Sequence, residues 1–286
     1  MPRSRAMRAT LVALGANLLL LGVKAAATGL SDSLTIFSET LNSLSDVVSA
    51  IVILVCVRWA WMLPDEDHPF GHRRAEPIAG LFVAILTGIL GFEVCRTVIL
   101  GLVRGEVSER IGPYPIAALC GTAMLKAVLA VYFRRIGKSL NSPAFRATAV
   151  DCRNDVLIAS QGLAGVVLAE LRLPVLDTVA ALIVGVYILY SGHRIGMENL
   201  DYLMGKAPDE ALLARIRAAA ERVPAVREVD DVKGHFVGTF VHVELTARVD
   251  GTLSTHASHE VSEAVQRSIE AIEVVDRAFV HIEPVG

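Results

Sequence analysis

Cysteine is scarce in this chain and never paired in sequence. Cys56, Cys95, Cys120 and Cys152 are spread over 286 positions, all in or beside apolar runs, with no Cys-x-x-Cys. That argues against a disulfide framework and against a thiolate metal site. A basic excess is missing too: 27 Lys and Arg stand against 30 Asp and Glu, a net charge of −3. No nucleic-acid surface is therefore expected. Internal repeats and low-complexity tracts are absent. So is Gly-x-Gly-Asp, which an intramembrane aspartyl protease would need. Neither an enzyme nor an organic cofactor is expected.

What is present is apolar. The chain is 53% hydrophobic with a mean hydropathy of +0.52, values of an integral membrane protein. Leu11–Leu30 is too long for a signal-peptide core and is read as a retained helix. Six apolar segments, about 8–29, 34–61, 76–103, 114–134, 146–170 and 174–196, are each long enough for about 30 Å of hydrocarbon. Arg3, Arg5 and Arg8 precede the first. Arg73 and Arg74 lie between two and three, and Arg134, Arg135, Lys138 and Arg146 between four and five. Arg194 and Lys206 follow the sixth. The opposite loops, Gly29–Ser33, Arg104–Pro113 and Leu171–Pro174, are short and poorer in basic residues. The positive-inside rule then predicts a multi-pass protein of the inner (plasma) membrane with both termini in the cytoplasm.

The pattern changes near position 206, which divides a six-span domain (1–205) from a C-terminal domain (206–286). The latter carries 9 basic and 14 acidic residues, a balance that attracts divalent cations. Glu210–Arg222 reads as an amphipathic helix, Val226–Phe236 as a strand, and Phe240–Asp250 as an alternating strand. His256–Ile272 reads as a helix and Val274–Glu283 as a last strand. The order αββαβ predicts a small antiparallel sheet with helices on one face.

Two pairs stand out inside the spans: Asn42-x-x-x-Asp46 and Asp151-x-x-x-Asp155. A spacing of four places both members on one helix face. An ionised Asp at the bilayer centre costs about 2.5–3.5 kcal/mol even on insertion scales. Four oxygen donors in two spans suit a divalent cation, and hard oxygens favour Mn²⁺, Mg²⁺ or Ca²⁺ over Zn²⁺, which imidazole would favour. Mutual repulsion of three carboxylates favours proton uptake, so metal binding must release protons. A second set, Asp65, His68 and His72, could converge on one ion at the membrane surface; a solvated acidic loop is the alternative. A third lies on the strands, as His242-Val-Glu244 and His281-Ile-Glu283, with His259 and Asp230 able to complete it. A polar solvated sheet face is its alternative. Glu93 and Arg96 should pair with each other. Arg153 is about 200° round its helix from Asp151 and should point elsewhere. Lys24 has no evident role; Glu39 is its partner or an outer acid.

These residues resemble the cation diffusion facilitator family over nearly the whole chain. The anchors are Ser38-Glu39-Thr40-Leu41-Asn42-Ser43-Leu44-Ser45-Asp46, His68-Pro69-Phe70-Gly71-His72-Arg73-Arg74-Ala75-Glu76, the Asp151–Asp155 pair, and Val280-His281-Ile282-Glu283-Pro284. The resemblance implies six spans, homodimers, a ferredoxin-like cytoplasmic domain, and export of divalent metal in exchange for protons. It implies a transport site at Asn42, Asp46, Asp151 and Asp155, and cytoplasmic sites at Asp230, Glu244, His259, His281 and Glu283, with His242 nearby. Zinc transporters of the family carry His in one or both span pairs. The Asn/Asp with Asp/Asp set here is similar to the bacterial manganese-exporting branch. A salt-bridge lock found in some members would need Arg74 and an acid near position 205, where Gly205 stands.

The expectation is a homodimeric metal/proton antiporter with divalent metal as both substrate and regulator, Mn²⁺ first and Fe²⁺ or Zn²⁺ as alternatives. Its partners are the ion, protons and the lipid bilayer. The competing class is a non-transporting membrane-bound metal sensor or assembly scaffold.

Overall fold

The computed structural model describes residues 2–30, 34–104, 113–171 and 173–285. The loops at 31–33 and 105–112, used above to orient the chain, lie outside the described residues. The chain divides into two compact units, Met1–Leu200 and Asp201–Gly286.

The first unit is built from six helices: α1 (Pro2–Leu30), α2 (Leu34–Ala60), α3 (Ala75–Arg104), α4 (Pro113–Ser139), α5 (Pro143–Glu170) and α6 (Pro174–Leu203). In hydrocarbon every backbone polar group must be satisfied within the span, which a helix does. Five of the six are long and apolar enough to cross a membrane. The fifth, α5, is not among them, because Arg146, Asp151, Arg153, Asp155 and their neighbours dilute its apolar stretch. Its partners explain how it is tolerated. It packs mainly on α4 and α3, and its polar residues find groups on other helices.

Large apolar side chains such as Leu19, Ile89, Met124 and Ile183 face outward, as lipid contact requires. The interior is filled by small residues, Ala6, Ala9, Ala13, Ala50, Ala79 and Ala147 among them, with Phe133 stacked on Phe145 at 6.1 Å. Small residues let helices approach closely where no hydrophobic effect drives them together. At Gly91 a Cβ would come within 2.7 Å of the Leu189 backbone nitrogen, so α3 and α6 meet there only because Gly91 has none. Ser142 starts α5: its hydroxyl accepts from the Phe145 N–H at 3.2 Å and donates to the buried Glu76 carboxylate of α3.

The second unit is α7 (Glu210–Glu221), β1 (Val226–Val237), β2 (Phe240–Asp250), α8 (Thr255–Glu270) and β3 (Val275–Val285). Asp209 caps α7 by accepting from the Leu212 N–H at 2.9 Å, and Ser254 caps α8 from the Ala257 N–H at 3.2 Å. Gly238, at φ +63°, opens the two-residue turn between Val237 and Phe240. The sheet order is β1-β2-β3. It is not wholly antiparallel as the element order suggested: β1 pairs with β2 antiparallel, but β3 runs parallel to β2. The crossover through α8 is the cause, since a helix returns the chain to the end where β2 began. Val241, Val243, Leu245, Ala247 and Val249 face the core with Ile216, Val265 and Ile269. The architecture is a six-helix transmembrane domain plus a ferredoxin-like α+β domain.

Candidate metal site

The two span pairs converge. Single carboxylate oxygens of Asp46, Asp151 and Asp155 lie within 4.8 Å of one another. Asp46 and Asp155 are buried, and Asn42 lines one small cavity with both of them. Each of the three Asp residues is held from another helix. The Thr87 hydroxyl of α3 donates to Asp151 Oδ1 at 3.0 Å. The Asn17 side chain of α1 donates to the Asp46 backbone carbonyl at 3.2 Å. Most important is Lys126 of α4, only 1% exposed. Its Nζ stands 2.6 Å from Asp46 Oδ2 and 2.6 Å from Asp155 Oδ2.

Lys126 is absent from the residues read off the sequence. A signal existed: it is a lone charge at the centre of a long apolar run, and an ionisable residue there is a site candidate by default. Lys24, without a role in the sequence, is also buried and lines the cavity that holds Asn42, Asp46 and Asp155. The side chain of Glu39, its suggested partner, lies outside the described residues. Glu93 and Arg96 pair at 2.8 Å. Arg153 points away from the carboxylates and lies over the Tyr187 ring at 5.4 Å.

The loop set also comes together. Ligand atoms of Asp65, His68 and His72 lie within 4.8 Å of one another. Asp65 accepts from the His68 backbone N–H at 2.7 Å and stands 3.2 Å from His72 Nε2. The His68 N–H, first, and then the adjacent imidazoles hold the Asp65 carboxyl below the usual carboxylate range. Two imidazoles and a carboxylate at an exposed surface are a donor set for a transition-metal ion.

The six residues named in the C-terminal domain are distributed differently. Asp230 Oδ2 pairs with Arg248 Nε at 2.8 Å, and Glu283 lies 3.9 Å from the same atom. His259 pairs with Glu263 one turn along α8 at 3.4 Å. Glu244 and His281 share an open concavity of about 760 Å³ with Lys233 and Arg277. His242, placed on the polar face by alternation, is buried; its Nε2 is 3.4 Å from Asp276, with His235 and Phe279 against its ring. Among the described residues, three-ligand groups form in the spans and in the loop, but not from these six within one protomer.

Residues 10–204 match the cation efflux transmembrane domain, and residues 208–285 match the cation efflux protein cytoplasmic domain. The chain belongs to the cation efflux, or cation diffusion facilitator, family, whose members transport metal cations. It is 31% identical over 237 residues to an uncharacterized transporter of Methanocaldococcus jannaschii, covering 83% of each chain. It is 27% identical to the manganese efflux system protein MneS of Bacillus subtilis, over 83% of this chain and 81% of that one. The solved C-terminal domain of MamM in a cadmium form is 35% identical, covering 27% of this chain and 98% of that one, with a TM-score of 0.26.

Proposed function

We propose that this protein is a divalent metal cation/proton antiporter that exports Mn²⁺ from the cytoplasm, with Fe²⁺ or Zn²⁺ as the alternative cargo. One observation carries the reading: three carboxylates from two helices of the transmembrane domain approach within 4.8 Å. Such a cluster is costly in a membrane and has its use in binding a cation. The donors, with Asn42 beside them, are all oxygen, which suits Mn²⁺ better than an ion that prefers nitrogen or sulfur. The likeness to a manganese efflux protein of Bacillus subtilis supports the same metal.

In this reading Asn42, Asp46, Asp151 and Asp155 bind the ion near the midplane. Rocking of helices then alternates its exposure, and protons arriving on the far side help expel it. The protein works as a homodimer in the inner membrane with both termini in the cytoplasm. Asp65, His68 and His72 form an accessory surface site. Metal bound by Asp230, Glu244, His259, His281 and Glu283 of the acidic C-terminal domains, with His242 behind them, favours a closed dimer. A sensor or scaffold that does not transport is favoured by one observation: Lys126 already pairs with two of the three carboxylates.

The test is uptake into proteoliposomes of Mn²⁺, Fe²⁺ and Zn²⁺ under an imposed pH gradient. The antiporter reading expects gradient-dependent flux, fastest with Mn²⁺. Absence of flux for every ion, with protein folded and inserted, supports the sensor instead.

A further inference from the structure

We propose that Lys126 is a tethered cation that competes with the cargo for Asp46 and Asp155. Each arriving ion displaces its ammonium, and the ammonium returns as the ion departs. The inference rests on the reading of Asn42, Asp46, Asp151 and Asp155 as the cargo site.

Geometry carries it first. Lys126 Nζ is 2.6 Å from both Asp46 Oδ2 and Asp155 Oδ2, and those carboxylates belong to the cluster that spans 4.8 Å. An oxygen-preferring divalent ion sits about 2.1 Å from each ligand oxygen, so one bound to either carboxylate oxygen lies within about 5 Å of Nζ from whichever side it enters. It would share the same ring of oxygens with a second positive charge. Both cations cannot keep these ligands at once.

Space carries it second. Lys126 lines two small cavities, and Asp46 lines both with it. One holds Asn17, Asp151 and Phe133; the other holds Asn42, Thr122 and Lys24. Each has about 10 Å³ of free volume, room for no more than one water. A divalent ion that keeps some of its water does not fit beside the ammonium. Withdrawing Lys126 joins the two spaces and frees both carboxylates. The side chain also has places to go. Asn17 Oδ1 in the first cavity and Thr122 Oγ1 in the second are buried oxygens without a hydrogen-bond partner. Either can accept from the displaced ammonium.

The consequence is that Asp46 and Asp155 always face a cation, the ammonium in one state and the cargo in the other. The protein carries its own replacement cation, so an ion can leave without stranding bare carboxylates in the membrane. A counter-ion that served the fold alone would give a different result on removal: a weaker site, not a stronger one.

The test uses the full chain in lipid nanodiscs, titrated with Mn²⁺ by calorimetry, and in proteoliposomes for flux. Lys126→Gln removes the competitor. Because the apparent affinity is the intrinsic affinity multiplied by the share of the population in which the site is free of the competitor, Mn²⁺ should bind about ten-fold or more tightly in that variant. KM and the maximal rate should both fall, since bound ion is no longer replaced. Lys126→Arg, which keeps the charge, should return the affinity toward wild type. Unchanged or weaker Mn²⁺ binding by folded Lys126→Gln overturns the proposal. If that variant does not fold, the wild type decides. Acylation of Lys126 by acetic anhydride, read by peptide mass spectrometry, should rise when Mn²⁺ is added; no rise overturns the proposal. Asp155→Asn separates the two readings. Loss of Mn²⁺ binding there, with no gain in Lys126→Gln, keeps the cargo site and removes the tethered cation. Wild-type binding in Asp155→Asn removes the cargo site itself.

Discussion

The hydroxyl of Thr87 donates a 3.0 Å hydrogen bond to Asp151 Oδ1 and so ties α3 to the acidic cluster of α2 and α5. Thr87 is itself buried. It holds one oxygen of the Asp151 carboxylate, which the proposed function makes a ligand of the cargo ion. Outer-shell partners of this kind are worth about 10–100-fold in metal affinity or activity. Thr87→Val keeps the shape and deletes the donor, so Mn²⁺ affinity should fall by about ten-fold with little change in thermal stability. Calorimetry of the purified variant checks this, and equal affinity would show that Asp151 is held by packing alone.

Selectivity is expected to follow donor type. Asp151→His places an imidazole among oxygen ligands and should raise Zn²⁺ transport relative to Mn²⁺. Raw affinity still follows the Irving–Williams order, so the quantity to compare is the ratio of transport rates in proteoliposomes. A ratio equal to that of the wild type would remove the physical basis for manganese preference at this position.

The C-terminal domain has its own core, in which Ile269 is fully buried among residues of β1, β2 and α7. Ile269→Ala in residues 206–286 should cost about 2–5 kcal/mol, the range for large-to-small substitution in a packed core. Urea denaturation measures it. A loss under about 1 kcal/mol would mean that the site collapses around the deletion.

Acid should weaken the same domain partly through Asp250. Its carboxylate accepts from the Thr252 hydroxyl at 2.6 Å and the Thr252 N–H at 3.0 Å, which hold it below the ordinary carboxylate range. A carboxyl depressed in the fold adds stability above its unfolded value, and that stability is lost as pH falls through the folded value. The stability gap between wild type and Asp250→Asn should therefore be largest near neutrality and shrink as pH falls through and below the ordinary carboxylate range. A gap that widens in acid would contradict this.

The convergence of Asp46, Asp151 and Asp155 was legible because its signals are local. The i,i+4 spacing within α2 and within α5 puts each pair on one face, and the cost of a charge in hydrocarbon says that the faces must meet something polar. Lys126 has no such spacing. Its partners are 80 and 29 positions away in sequence, and no periodicity joins them; only its isolation in an apolar run marks it. Thr87 is hidden for the same reason. In the sheet, alternation placed the Val241–Val249 face correctly and misjudged His242. β2 is the central strand, so Phe279 and His235 on its neighbours cover that position. The direction of β3 was lost because element order does not say whether a helix crosses the sheet or turns back beside it.

The central claim is that the carboxylates of α2 and α5 carry the cargo, and Asp155→Ala tests it most directly. In that variant Lys126 still has Asp46 at 2.6 Å, so the bundle keeps a paired lysine. The measurement is Mn²⁺ flux into proteoliposomes holding equal amounts of folded wild type or Asp155→Ala under the same pH gradient. Flux at the level of protein-free liposomes is the predicted result; flux at the wild-type rate would contradict the account.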